Sequence, residues 1–186
     1  MALTHADYIK LGEDHPRCEL VDGLIRLMAP APYVTHQSVS GNIYEYIRRH
    51  LKGKKCKVFY APIDVYLDKD NVLQPDIIVV CDNKKIKLRG CYGAPDIVVE
   101  ILSKSTAKYD MTVKYNKYQE AGVKEYWVVG PSYGTVQLFT LVDGKYQGEL
   151  YGEDDVIKSN VLPGLEIELL EIFPPDDYFD FEEDDD

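Results

Sequence analysis

A glutamate, Glu100, lies inside the apolar run at residues 95–102, which is otherwise typical of a buried β-strand. Because strand side chains alternate between faces, Glu100 shares its face with Val98 and Leu102. Burial of a carboxylate among apolar neighbours is costly unless a cation or hydrogen bonds compensate for it. The compensating group is either a metal ion or a structural partner such as a lysine or an arginine.

A second acidic strand lies upstream, where Pro75 and Asp76 open the apolar run at residues 77–80. Two acid-bearing core strands in succession predict carboxylates that converge on a metal ion. Mg²⁺ takes one or two carboxylates together with waters and phosphate oxygens, and it activates water for phosphodiester hydrolysis. The alternative for Asp76 is a strand-entry residue, since Pro-Asp often marks a turn. Asp96 repeats this setting, and for it we favour the structural interpretation.

The elements that must position these acids follow from periodicity and turn residues. Apolar residues recur every four positions from Val39 to Leu51, which predicts a helix, and Asp22-Gly23 predicts a tight hairpin turn. The predicted elements are a helix at 4–12, a hairpin at 17–28, a helix at 35–51, strands at 56–60, 63–67, 73–80 and 95–102, a helix at 110–121 and a strand at 125–129.

This order predicts an α/β fold in which a mixed central β-sheet is flanked by helices, with additional β-hairpins. The strand–helix–strand unit at residues 95–129 should bring its two strands parallel. The chain of 186 residues is long enough for one domain, which we expect over residues 1–175.

The apolar runs, the N-terminal sequence and the cysteines indicate the cellular compartment of the protein. No apolar run reaches the roughly 18–20 residues needed to span a bilayer, and the N-terminus lacks the layout of a secretory signal. The four cysteines show no Cys-x-x-Cys spacing, so a zinc site is not indicated and we expect reduced thiols. Together these features predict a cytoplasmic protein with no membrane partner.

The net charge of −11 is concentrated in residues 176–186, which contain eight acids and no base. Such a block is typical of a solvated, disordered tail. Two other interpretations remain open for this tail: a nucleic-acid mimic that covers a basic groove, and an interaction module for another protein.

Several blocks of the sequence together resemble the Uma family of restriction endonucleases, which is grouped with the PD-(D/E)XK nucleases. The main blocks are Gln74-Pro75-Asp76, residues 94–103, residues 110–114 and residues 121–127. Shorter ones are Glu19-Leu20-Val21-Asp22-Gly23, His36-Gln37 and Leu162-Pro163-Gly164-Leu165. The resemblance covers nearly the whole chain except the acidic tail.

The resemblance implies a restriction-endonuclease-like core and a Mg²⁺-dependent endonuclease, with Mn²⁺ as a substitute. Asp76 would be the motif aspartate and Glu100 the second acid, and both would hold the metal. Leu102 stands where the parent motif has its lysine, and Lys114 on the following helix occupies the matching place. The alternative for Lys114 is an exposed i,i+4 pair with Asp110; Lys104 and Lys108 rank lower because they lie in a loop.

Three further residues match the family pattern as accessory groups. Glu19 would supply another metal-facing carboxylate, and His36 would either contact a phosphate or position nearby loops. Ser103 would bond the phosphate or cap the turn after the strand, with the cap favoured. The expected partner is nucleic acid, with DNA preferred, and a homodimer suits an enzyme that cuts both strands.

A non-enzymatic interpretation stays open beside the nuclease. The chain would then be a catalytically inactive nuclease-like scaffold that binds DNA or protein, with its acids in structural ion pairs. The sequence has no Gly-x-x-x-x-Gly-Lys loop, which excludes a P-loop nucleotide site, and no zinc-finger pattern.

Overall fold

The computed structural model describes residues 2–12 and 15–174. The acidic tail and the predicted domain boundary before it lie outside the described residues. Within these ranges, two six-stranded sheets and a two-stranded hairpin form the β-structure, and the α-helices lie between and around them. None of the helices in the described ranges is both long and apolar enough to cross a membrane.

The central sheet is mixed, as predicted. Its strands are β3 Lys57–Tyr60, β6 Ile77–Val80, β9 Ile97–Ile101, β10 Glu125–Gly130, β11 Thr135–Val142 and β12 Lys145–Tyr151. Their order across the sheet is β12-β11-β10-β9-β6-β3, and only β9 and β10 run parallel. The parallel pair confirms the strand–helix–strand crossover expected from the sequence.

The strands of the second sheet are β1 Cys18–Val21, β2 Leu24–Leu27, β4 Asp64–Tyr66, β5 Val72–Leu73, β7 Ile86–Lys87 and β8 Gly90–Tyr92. Their order across the sheet is β2-β1-β5-β4-β8-β7. The predicted hairpin is β1 and β2, and Asp22 adopts the positive φ of 50° that the tight turn requires. A separate hairpin joins β13 Val156–Lys158 to β14 Glu166–Glu168.

The helices pack on both faces of the central sheet. They are α1 His5–Lys10, α2 Val34–His50, α3 Ala107–Tyr109 and α4 Tyr115–Ala121, with a π-helical segment Asp110–Lys114 between the last two. Val39, Ile43 and Ile47 of α2 are buried against the face that carries Ile97 and Val99. The opposite face is covered by residues of α4 and of the second sheet, so strand alternation divides the core into two layers.

The single strand predicted at 73–80 is wrong. The chain leaves the second sheet after Leu73 and enters the central sheet at Ile77. Pro75 has no backbone N–H to give to a ladder, and the N–H of Gln74 is donated to the side chain of Glu19 instead. The break between the two sheets therefore coincides with the acid-bearing Pro-Asp step.

The prediction of four reduced cysteines is wrong for one pair. Cys56 and Cys81 form a disulfide, whereas Cys18 and Cys91 are free and buried. The antiparallel pairing of β3 with β6 places Lys57 opposite Val80, so the two cysteines follow as the next opposed pair. Because disulfides persist mainly in oxidising environments, the cysteines give no support to the cytoplasmic prediction.

Candidate active site

Asp76 and Glu100 meet at one end of the central sheet. In the antiparallel pairing of β6 with β9, Ile77 is opposite Val99, so Asp76 falls opposite Glu100 one step further along. The backbone N–H of Ile101 donates to Asp76 Oδ2 at 2.8 Å. Both carboxylates line an open cleft of about 590 Å³. The sequence-predicted acids therefore belong to the same site.

Lys114 lies among three carboxylates. Its Nζ is 2.8 Å from Glu100 Oε1, 3.3 Å from Glu19 Oε1 and 3.6 Å from Asp110 Oδ1. The lysine is only 4% exposed, although it also lines the cleft. The alternative of an exposed pair with Asp110 is therefore wrong: the pair exists, but it is buried and belongs to a larger cluster.

The helical segment that carries Lys114 begins earlier than predicted and contains the π-helical turn. The hydroxyl of Tyr126, from the central sheet, donates to the backbone carbonyl of Asp110 at 3.0 Å and ties this turn to the strands. One turn beyond Lys114, the Tyr118 hydroxyl donates to Glu100 Oε1 at 2.8 Å. Lys114 and Tyr118 thus fix the same oxygen, and Glu100 Oε2 has no hydrogen bond within the described ranges.

The electrostatics of the cluster reflect burial and a shortage of positive charge. Burial raises the pKa of Glu100 well above its ordinary value, although Lys114 opposes the shift. Burial likewise raises the pKa of Asp110. For Lys114, burial alone would lower the pKa, but Glu100, Glu19 and Asp110 together outweigh it and raise the pKa well above its ordinary value.

Glu19 is brought into the cluster by the second sheet, and it is 3% exposed. Its Oε1 accepts the backbone N–H of Gln74 at 2.9 Å, and its Oε2 accepts the hydroxyl of Tyr109 at 2.9 Å. Both oxygens are therefore engaged by protein donors in addition to the contact with Lys114. This geometry favours a positioning role for Glu19 over the predicted role of a metal-facing carboxylate.

His36 lies behind Asp76 on the first turn of α2. Its Nε2 is 3.3 Å from Asp76 Oδ2, the same oxygen that accepts the N–H of Ile101. Its Nδ1 is buried without a hydrogen-bond partner. No hydrogen bond from the described residues reaches Asp76 Oδ1, because the Ile101 N–H and the His36 ring both lie on the Oδ2 side of the carboxylate.

The remaining predicted residues divide between the cleft and the rest of the fold. Ser103 lines the cleft, and its hydroxyl is 2.9 Å from Thr106 Oγ1 and accepts the Thr106 N–H, as the turn-capping interpretation requires. Lys104 and Lys108 are exposed and do not line the cleft. Asp96 lies outside the cleft, where it binds Lys124 and the N–H of Cys81.

Sequence reasoning missed the residues that support the cluster from other elements, namely Gln74, Tyr109 and Tyr118 as hydrogen-bond partners and Asp110 as a cleft carboxylate. The spacing of four between Lys114 and Tyr118 would have indicated that both face the sheet. The contacts of Glu19 carried no local signal, because they join residues 55 and 90 positions apart.

The carboxylates of the cleft are few for a divalent cation. Within residues 2–12 and 15–174, no group of three or more His, Cys, Asp or Glu side chains could hold a metal ion on its own. Mg²⁺ needs only one or two carboxylates when waters and substrate oxygens complete its shell. Asp76 Oδ1 and Glu100 Oε2 are carboxylate oxygens at the cleft that accept no hydrogen bond from the described residues, so the residues fit Mg²⁺ of this kind.

The fold and the site define a nuclease-like α/β protein. The chain belongs to the Uma2 family, described as "Putative restriction endonuclease", whose sequence pattern matches residues 5–170. It is similar to a crystal structure of a "putative nuclease belonging to DUF820" from Anabaena variabilis, with a TM-score of 0.77 and 20% identity over 92% of this chain and 97% of the other. An uncharacterized protein of Synechocystis sp. is 26% identical over 140 residues, which are 74% of this chain and 73% of the relative.

Proposed function

We propose that this protein is a Mg²⁺-dependent endonuclease that hydrolyses phosphodiester bonds, with DNA as the preferred substrate. The observation that carries the proposal is the shared cleft of Asp76 and Glu100, each with one carboxylate oxygen that no described protein group engages. Family membership supports the same reaction class. A homodimer would let two such clefts cut both strands.

Asp76, Glu100 and Lys114 would have different roles in the hydrolysis. When bound to Asp76 and Glu100, Mg²⁺ would neutralise the scissile phosphate and lower the pKa of a coordinated water. Lys114 would keep Glu100 Oε1 engaged and present a positive charge to the phosphate. Water would add to phosphorus, one phosphorus–oxygen ester bond would break, and the leaving alkoxide would take up a proton to give an alcohol and a phosphomonoester.

The test is cleavage of plasmid and labelled oligonucleotide DNA with Mg²⁺, Mn²⁺ or EDTA. Glu100→Gln is the sharpest variant, because its amide oxygen can still accept from Lys114 and Tyr118 while the charge is lost. We expect cleavage by the native protein with Mg²⁺ and at least a hundredfold loss, roughly the worth of several kcal/mol, in the variant. Glu120→Gln, on the exposed side of α4, is the matched control.

A second readout does not depend on turnover. Mg²⁺ or Mn²⁺ that binds only the folded protein should raise its melting temperature by mass action, and Glu100→Gln should abolish that rise. Cleavage that persists in EDTA or in Glu100→Gln would overturn the proposal. Binding of DNA without cleavage in any metal would favour the inactive scaffold, whose acids serve as the ion pairs seen around Lys114.

A further inference from the structure

Two arginines flank Glu19 at the rim of the cleft. Arg17 precedes Glu19 by two positions, and Arg26 is the cross-strand partner of Glu19 in the β1–β2 hairpin. Directly opposed residues of antiparallel strands share a face. All three residues line the cleft, but Glu19 is buried whereas both arginines are exposed. The hairpin therefore presents two guanidinium groups beside the candidate active site.

Both guanidinium groups are held in place. Arg17 Nη2 donates to Gln74 Oε1 at 2.9 Å, and the Arg26 guanidinium lies 3.8 Å from the centre of the Tyr109 ring. Gln74 and Tyr109 are in turn held by Glu19, which accepts the N–H of Gln74 on one oxygen and the hydroxyl of Tyr109 on the other. One buried carboxylate thus fixes the partners of both arginines, and a prepositioned side chain loses less entropy when it binds.

The charges of these arginines are available to a ligand. Within residues 2–12 and 15–174, no carboxylate oxygen lies within 4.0 Å of a guanidinium nitrogen of Arg17 or Arg26. Lys114, by contrast, already contacts three carboxylates. Arginine binds phosphate through a planar fork of donors. A polyanion that approaches the acidic floor of the cleft needs positive charge at the rim, and Arg17 and Arg26 supply it.

We propose that Arg17 and Arg26 form a phosphate-binding pair that holds the nucleic-acid backbone on one side of the scissile phosphate. Arg17 and Gln74 also line a neighbouring depression of about 230 Å³ that contains Arg89, so the backbone leaves the cleft in that direction. The assignment rests on the proposed function, because it takes nucleic acid as the ligand. It adds the residues that recognise the phosphates next to the reacting one.

The test measures binding separately from cleavage. In the Glu100→Gln protein without divalent cations, the affinity for a fluorescent DNA oligonucleotide is measured by anisotropy over a series of monovalent salt concentrations. Each lost phosphate contact should reduce the slope of log K against log salt by about 0.7–0.9. We expect that reduction in Arg17→Gln and in Arg26→Gln, and roughly twice it in the double variant. Arg48→Gln, an exposed arginine on α2 away from the cleft, should leave the slope unchanged.

Glutamine variants of Arg17 and Arg26 with the same slope as Arg48→Gln would overturn the phosphate pair. Arg26→Lys is a second probe, since it keeps the charge but loses the planar stack on Tyr109. Its salt slope should match that of the parent protein, and its affinity should lie between those of Arg26→Gln and the parent. If either glutamine variant unfolds, the other one and Arg26→Lys decide the question. DNA binding that depends on the arginines, without any cleavage by the native protein, would support the phosphate pair and contradict the proposed endonuclease. Cleavage that depends on Glu100, with unchanged salt slopes in the arginine variants, would support the endonuclease and contradict the phosphate pair.

Discussion

Lys114 Nζ and Glu100 Oε1 are 2.8 Å apart, and the lysine reaches this position from the helical segment that crosses one face of the central sheet. The ammonium is also in contact with Glu19 and Asp110, so one cation faces three buried carboxylates. Loss of a partner from a buried ion cluster is more damaging than absence of the whole cluster, because an uncompensated charge remains.

The first prediction concerns this lysine. Lys114→Met should lower the free energy of unfolding at neutral pH by about 3–5 kcal/mol, because three buried carboxylates lose the ammonium that contacts all of them, and cleavage activity should disappear. Because burial raises the pKa of Glu100 and of Asp110, the defect should begin to shrink above the ordinary carboxyl range and should be gone near about pH 4. Urea unfolding at several pH values measures both effects. Lys108→Met, an exposed lysine on α3, is the control and should change little; an equal loss at all pH values would contradict the charge argument.

The second prediction concerns Glu125, which is fully buried on β10. Its Oε1 accepts the backbone N–H groups of Asn160 and Val161, and its Oε2 accepts Trp127 Nε1 and Ser159 Oγ. Glu125→Gln would place an amide NH₂ against donors, so we expect a loss of about 2–4 kcal/mol in the free energy of unfolding. Trp127 is the single tryptophan of the chain, so its fluorescence follows the transition.

The matched control for that experiment is Glu166→Gln, because Glu166 is exposed and its ion pair is with the exposed Lys158. Such a surface pair is worth at most about 1 kcal/mol. A Glu125→Gln protein as stable as the control would show that the carboxylate charge is not what holds the segment around residue 160 against β10.

The third prediction concerns the disulfide between Cys56 and Cys81, which closes a sequence separation of 25 residues. A cross-link of this span restricts the unfolded chain, so its removal should cost about 2–4 kcal/mol. Cys56→Ser with Cys81→Ser, compared with the native protein under oxidising and reducing conditions, measures the loss by urea unfolding. Reductant should lower the stability of the native protein only; an identical response of both proteins would argue against the cross-link.

The sequence was most informative where the signal was local. Alternation along a strand placed Glu100 in the core, and the four-residue recurrence located α2. The placement of Lys114 came from the family resemblance, and the structure brings its ammonium to Glu100. The metal-binding and catalytic roles of these residues stay predictions, and the cleavage assays above test them.

The sequence was least informative where sheet order decides the contact. Glu19 contacts Gln74 because β1 lies next to β5, and the sequence of neither short strand indicates which strand it pairs with. Cys56 meets Cys81 for the same reason, through the pairing of β3 with β6. The break at Pro75 separates two strands that hydrophobicity alone joins into one. Each of these contacts is non-local, so no periodicity in a single segment encodes it.

The fourth prediction concerns pH and Asp96. Burial alone would raise the pKa of Asp96, but the Lys124 ammonium at 2.7 Å and the Cys81 N–H at 2.7 Å outweigh it, and the pKa is lowered below its ordinary value of 3.8. In the acidic range the unfolded chain therefore binds more protons at this site than the folded protein does. The stabilising contribution of Asp96 is fully present above the ordinary value and is lost as the pH falls through the folded pKa.

Asp96→Asn removes this contribution while the amide oxygen can still accept the Cys81 N–H. The native protein should therefore be more stable than Asp96→Asn at neutral pH, and the difference should close as the pH falls below about 4. The difference between two proteins that share all other carboxyls isolates this one site. Urea unfolding across that pH range measures the difference. The exposed Asp154→Asn is the control, and its stability relative to the native protein should not change with pH. A gap that widened towards acid would show that the pKa of Asp96 is raised on folding.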